Sequence, residues 1–352
     1  MIERRCGTRG VWLRPKNMTS RRPIEVCITI DTEFSIAGNF ADPELLPVAE
    51  PIVLGEIDGK EHGLGFLLNT FAEFGVRATF FVEALQTAYF GDEPMGAIAR
   101  RIAEAGQDVQ LHLHPCWLYY EATSGQEQKA TLDDSCAHRS DAELDHFFEV
   151  GISAFSRWGL TRPVAVRSGN FEVDANFYRA AARSGINSSS SIALAVRRPS
   201  DETLVPAGNS CTIEQVLEFP VFSYSHPFGL YKRLRPLAIT ACSSTEILSA
   251  LWQAHEYGIS PVVILTHPQE YIKHKGSRYT TLRPNRVNQT RLKTLLRFLR
   301  QHDDEFVAVP LYAIEQSRLP AVSSHYSEIS VSARHAIGRM AENAINDLVW
   351  WY

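Results

Sequence analysis

The chain lacks several features that would assign it to a special class. Six cysteines occur in 352 residues, at positions 6, 27, 116, 136, 211 and 242. None stands at CxxC spacing, which argues against a structural zinc knuckle. So sparse a set points to a reducing compartment. The longest apolar runs, such as Pro261–Leu265, fall far short of the ~20 residues that a membrane span requires. The opening stretch MIERRCGTRGVWLRPKN is basic but has no apolar h-region, so it does not read as a secretory signal. A cytoplasmic location is therefore expected. Positive charge is not in surplus: 35 basic and 40 acidic residues leave a net charge of −5, which argues against a general nucleic-acid binder. No internal repeat recurs at a fixed period.

What is there is ordinary globular material, 45% hydrophobic and 21% charged. Residues 1–17 are rich in arginine and carry little that could be buried, so they read as a disordered arm. The body, 18–315, alternates strands and helices, and 316–352 reads as a C-terminal helical extension. Strands are expected at Glu25–Ile30, Arg77–Val82, Asp108–His114, Val164–Arg167, Glu218–Val221, Pro261–Thr266 and Phe306–Val309. Helices are expected at Leu64–Phe74, Gly96–Ala105, Asp141–Trp158, Asp174–Ser184, Ser244–Tyr257 and Asn288–Arg300, with Ser/Asp caps and Gly stops at several ends. This rhythm predicts an α/β fold with mostly parallel strands.

In such folds ligands bind beyond the carboxyl ends of the strands, and here those ends carry titratable groups. VCITIDTEF ends with Asp31 and Glu33, two apart and hence on one face. DVQLHLHP does the same with His112 and His114, VVILTHP ends at His267, and VAVRSGNF reaches Arg167. Taken singly, each reads as a hydrogen-bonded or exposed strand-end residue. Together, two imidazoles and one or two carboxylates match the donor set of Zn²⁺ or another borderline divalent ion.

These segments resemble the polysaccharide deacetylases, the NodB-homology family, from about Ile24 to about Pro310. RATFFVE at Arg77–Glu83 is similar to a hallmark strand of that family. Thr29-Ile30-Asp31-Thr32-Glu33 stands where the family has TFDD, and His112-Leu113-His114-Pro115 where it has HSxxH. Arg167-Ser168-Gly169-Asn170-Phe171 is similar to its Arg-containing strand end, and Leu265-Thr266-His267 to its last motif. The chain departs from the pattern in three places. The second carboxylate is a Glu one residue later, the histidines are two apart, and Ser188 replaces the Asp of a DSS segment. It thus looks like a divergent branch.

The resemblance implies a NodB-like distorted (β/α) barrel and a hydrolase that removes an N-acetyl or other acyl group from a sugar or polysaccharide precursor, with no nucleic-acid partner. It implies metal held by Glu33, His112 and His114, with Zn²⁺ the expected ion, and Asp31 as base, Arg167 as its brace and His267 as acid. The roles of Asp31 and Glu33 remain exchangeable at this stage. Trp117, Asn170 and Tyr224 are candidates for contacting substrate, though Trp117, directly after the HLHP turn, reads equally well as packing under a loop. The basic stretch from Lys273 to Arg300 reads either as a solvated helix face or as an attractor for a phosphate-bearing donor or anionic glycan. Two other readings stay open: hydrolysis of a different C–N bond such as a cyclic amide, and a glycan-binding protein whose catalytic site has decayed. The oligomeric state is left open.

Overall fold

The structure is a computed structural model that describes residues 22–42, 44–119, 134–206, 208–228, 231–314 and 329–348. The expected arm at 1–17 lies outside the described residues.

Among the described residues, nine strands form one sheet. In chain order they are β1 (Ile24–Thr32), β2 (Thr79–Glu83), β3 (Asp108–Leu113), β4 (Ala165–Ser168), β5 (Ser188–Ser189), β6 (Cys211–Ile213), β7 (Val216–Glu218), β8 (Val262–Thr266) and β9 (Phe306–Ala308). Their spatial order is β8-β1-β2-β3-β4-β5-β7-β6, with β9 also paired to β1. All neighbours run parallel except β6 and β7. The sheet curls. Beyond β7 the chain reaches round to the far edge of β8 through single bridges, Val221 to Val263 and Ala238 to Leu265. The result is the expected distorted (β/α) barrel, closed by a seam of irregular chain.

The helices are α1 (Leu64–Phe74), α2 (Met95–Glu104), α3 (Asp141–Arg157), α4 (Ala175–Arg183), α5 (Ser244–Tyr257), α6 (Arg286–Gln301) and α7 (Ala333–Leu348), with shorter turns between them. Two begin with full capping boxes, Ser140 with Glu143 and Ser243 with Glu246. In each, serine and glutamate reciprocally satisfy backbone donors that a helix start leaves bare. Helix α1 stops where Gly75 takes φ 68°, a left-handed conformation that costs glycine little. Among the described residues no helix is long and apolar enough to cross a membrane.

All nine residues of β1 are buried, as a central strand requires. Alternation then splits the strands into two faces. Ile24, Val26, Ile28 and Ile30 join the main apolar core with helix residues such as Leu67 and Phe71. Cys27, Phe81, Ala165, Phe219 and Val263 form a small separate cluster with Leu311 and Ile314. The alternate residues Asp31, Glu83, His112 and Arg167 are buried too, and they sit at the carboxyl ends of four adjacent strands. The strand expected at Glu218–Val221 instead ends at Glu218, because the chain there leaves β5 for the seam. Three hairpins had no counterpart in the sequence reading: Glu56–Glu61, Ser223–Pro236 and Ile272–Pro284. The C-terminal segment docks on the second of these through Ser225 and Val331. Arg339 of α7 pairs with the buried Glu246 of α5.

The main core carries most of the apolar burial. Phe80 is fully buried and edge-on to Phe71, with ring centroids 6.1 Å apart. Phe80→Ala should therefore lower unfolding free energy by about 3–5 kcal/mol. Val307→Ser, at a 38% exposed position of β9, should stay within about 0.5 kcal/mol. Urea titrations of both variants check the contrast.

Candidate metal-dependent active site

The strand ends converge on one cluster. Arg167 is fully buried and donates from Nη1 to Asp31 Oδ1 at 2.6 Å. Its Nε and Nη2 donate to the carbonyl and hydroxyl oxygens of Ser190 at 2.8 and 2.7 Å. The guanidinium lies over the Phe81 ring, 4.4 Å from its centroid. Every face of this cation is thus met by an acceptor or a π cloud, as a buried arginine needs.

Glu33 lies just beyond β1 and reaches His112 of β3 and His114 just past it. Its Oε2 is 3.1 Å from His112 Nε2 and 2.6 Å from His114 Nε2. The other ring nitrogens are already committed. His112 Nδ1 is 2.8 Å from the carbonyl oxygen of Arg167. That oxygen can only accept, so Nδ1 carries the hydrogen. His114 Nδ1 likewise faces Asp134 Oδ2 at 2.6 Å. With both Nδ1 positions filled, neutral rings turn two Nε2 lone pairs toward a carboxylate lone pair. A positive species, a proton or a metal ion, has to stand among them. Burial pushes Glu33 up, but the charge of His114 and the hydrogen bonds of both imidazoles outweigh it and hold the carboxyl well below its ordinary range. Burial pushes His114 down, yet Asp134 and Glu33 outweigh it and raise the imidazole well above its usual value.

Glu33, His112 and His114 present donor atoms within 4.8 Å of one another, and so do His114, Cys116 and Asp134. The two sets share one imidazole, whose neutral ring offers one lone pair at a time. Asp134 also accepts from the Cys116 amide at 3.2 Å and from Asn170 Nδ2 at 2.8 Å. That arrangement suits a carboxylate that orients a ligating histidine. The first set therefore fits a borderline divalent ion better.

His267 completes the cluster. Its Nδ1 is 3.0 Å from Glu270 Oε1, and its Nε2 is 3.8 Å from Asp31 Oδ2. Burial pushes this imidazole down, but the hydrogen bond and charge of Glu270, with the charges of Asp31 and Glu33, raise it to about 9.

The structure thus brings Asp31, Glu33, His112, His114, Arg167 and His267 together, with Asn170 at their edge. It corrects two candidates. Trp117 is 3% exposed and packs against Phe90 and Tyr89. Tyr224 is fully buried, with its hydroxyl on Cys242 Sγ. Neither ring is presented for a sugar to stack on. Three acids escaped the sequence reading. Glu270 follows His267 at a readable i,i+3 interval. Glu83 ends β2 on the same face as Phe81, and burial pushes it up to about 8 even though the amides of Leu85, Gln86 and His114 donate to it. Asp134 lies in a polar loop, where no periodicity marks it.

Solved structures that match this chain include family 4 carbohydrate esterases. One is from Streptomyces lividans, in complex with acetate (14% identity, TM-score 0.40, 82% of this chain and 94% of that one). An acetyl xylan esterase from Clostridium thermocellum, in complex with cobalt, matches at 13% identity and TM-score 0.40 over 86% of this chain and 96% of that one. A CE4 family pseudoenzyme from Bacillus anthracis matches at 11% and 0.41 over 82% of this chain and 64% of that one. At such scores the fold assignment rests on the strand order itself. No protein-family model and no curated protein matches the chain.

Gly169 backs onto this site. A Cβ there would stand 2.4 Å from His114 Nδ1 and 2.5 Å from Cε1. Gly169→Ala should therefore displace the His114 ring and weaken Zn²⁺ binding in a calorimetric titration, while leaving the far-UV circular dichroism unchanged. Unaltered Zn²⁺ affinity would remove His114 from the ligand set.

Proposed function

We propose that this chain is a metal-dependent hydrolase that removes an acyl group, acetyl in the first instance, from the nitrogen of an N-acylated sugar or polysaccharide precursor. One observation carries the reading: two imidazole Nε2 atoms and a carboxylate oxygen converge beside a buried Asp31–Arg167 pair and a histidine paired with Glu270. The sugar in this reading comes from the motif resemblance of RATFFVE, DTE, HLHP and LTHP.

Glu33, His112 and His114 would hold the ion. When bound, a divalent cation such as Zn²⁺ supplies Lewis acidity for amide cleavage. Asp31 takes the proton of the attacking water. Arg167 positions Asp31 through the bond from Nη1 to Oδ1. It occupies only Oδ1, so Oδ2 remains to accept. His267 gives its proton to the leaving amine nitrogen. Glu270 supports that role by keeping the imidazolium charged, and Asp134 fixes the His114 tautomer from behind.

Asp31→Asn preserves shape but cannot accept a proton as a carboxylate does. It should lower turnover on an N-acetylated glycan by about 10²–10⁴-fold with metal content near wild type. Glu33→Gln should weaken metal binding, and added Zn²⁺ should restore part of its activity. Metal analysis beside acetate release decides between them. An Asp31 variant without metal, alongside a Glu33 variant that keeps it, would exchange the two roles. Wild-type turnover in both would discard the mechanism.

The general acid must be protonated to work. With His267 raised to about 9, kcat/KM should hold on the alkaline side until it falls as pH climbs through about 9. Glu270→Gln removes a cause of that rise, so the alkaline limb should move to lower pH. A pH–rate profile in which this limb stays put would take Glu270 and His267 out of the proton transfer.

A further inference from the structure

The basic stretch after Lys273 has a use that the catalytic cluster does not absorb. Between α1 and α6, outside the barrel wall, lies a cavity of about 720 Å³. That is within the range of small-molecule pockets. Four cations line it: Lys60 from the first hairpin, Arg101 from α2, and Arg286 and Lys293 from α6. Two acids answer them. Arg101 pairs with Glu61 at 2.8 Å, and Lys293 with Glu73 at 3.5 Å. Lys60 and Arg286 form no ion pair with an acid among the described residues, so two of the four lining cations are left for a ligand. Both act on the same spot: burial, then the charges of Arg286 and Lys60, outweigh the opposing charge of Asp58 and hold the lining His62 below its ordinary value.

The shape of the surplus narrows the ligand. Two unanswered cations on separate elements call for at least a dianion, with anionic oxygens spread over more than one group. A guanidinium and an ammonium, one a planar fork and the other a point charge, are the usual partners of phosphoryl oxygens. Asn69 and Thr290 add neutral polar groups to the lining. The one large apolar side chain among the lining residues, Phe66, is half-buried, packs on Tyr271 and lies under Lys293, so the lining offers no apolar group free to enter a lipid surface. We propose that this cavity binds a soluble small molecule through a diphosphate group, at a site separate from the Glu33–His112–His114 cluster. The inference does not depend on the hydrolase reading. A physical link to that cluster exists all the same. Gln289 in the cavity wall donates to the Tyr271 carbonyl at 3.3 Å, and the Tyr271 hydroxyl shares a hydrogen bond with Thr266, beside His267.

The test is calorimetric titration of the full chain with inorganic pyrophosphate at 0.15 M salt, where charges more than about 8 Å apart are largely screened. Saturable binding at one site is expected. Lys60→Ala with Arg286→Ala should weaken it by about 10-fold or more. Lys60→Arg with Arg286→Lys should restore most of it, and His112→Ala with His114→Ala should leave it intact. Lys60 and Arg286 are exposed, so the variants should melt like the wild type, which separates lost binding from lost fold. Three results would overturn the site: no saturable binding, binding that survives loss of both cations, or binding that disappears with the two histidines. The last would place pyrophosphate at the metal cluster instead.

Discussion

The buried contact between Arg167 and Asp31 organises everything around it. Burying two charges is costly, and only good geometry with every remaining donor satisfied offsets the desolvation. That condition is what Arg167 imposes on its neighbours. Ser190 must present both its oxygens, Phe81 must offer its ring face, and Asp31 must turn one oxygen inward. The same residue's carbonyl takes the Nδ1 hydrogen of His112. One side chain and its own backbone thus fix Asp31, the β1–β4 spacing and the tautomer of a candidate metal ligand. Losing either partner of the pair would leave a stranded charge, worth about 3–5 kcal/mol.

The loops above the strands are tied by a second device. Glu83 accepts from the amides of Leu85, Gln86 and His114, and Gln86 in turn accepts from the amide of Phe34. Two polar side chains therefore hold the ends of β1, β2 and β3 in register with one another. Glu33 and His114 depend on that register, since both lie just past their strands, where the sheet ladder no longer constrains them. Asp134 and Asn170 then close the far side of His114.

Much of this was legible in the chain, for reasons that differ by residue. Leu64–Phe74 and Ser244–Tyr257 show helical spacing and defined ends, and both fall where they were read. Strand-end pairs such as Asp31 with Glu33 and His112 with His114 were legible because a period of two leaves no choice of face. Trp117 and Tyr224 could not be placed from sequence because an aromatic after a strand end looks the same whether it faces solvent or packs under a loop. Asp134 was invisible for a related reason. Its importance comes from a ring 20 residues away in sequence, and no local pattern encodes that distance. The hairpins were missed because their strands are short and, as at Tyr231–Pro236, largely exposed, so no apolar alternation betrays them.

The seam of the barrel has an evolutionary side. Phe222 and Leu237 flank the Ser223–Pro236 hairpin and are hydrogen-bonded to each other across its base, Leu237 N to Phe222 O at 2.7 Å. The chain therefore leaves the barrel and re-enters it at one point. The hairpin's length can drift by insertion or deletion at little loop-closure cost, while the strands on either side keep their places. The limit is set at its base, where Tyr224 is fully buried and Ser225 pairs with the C-terminal segment, so only the outer part could change in reach.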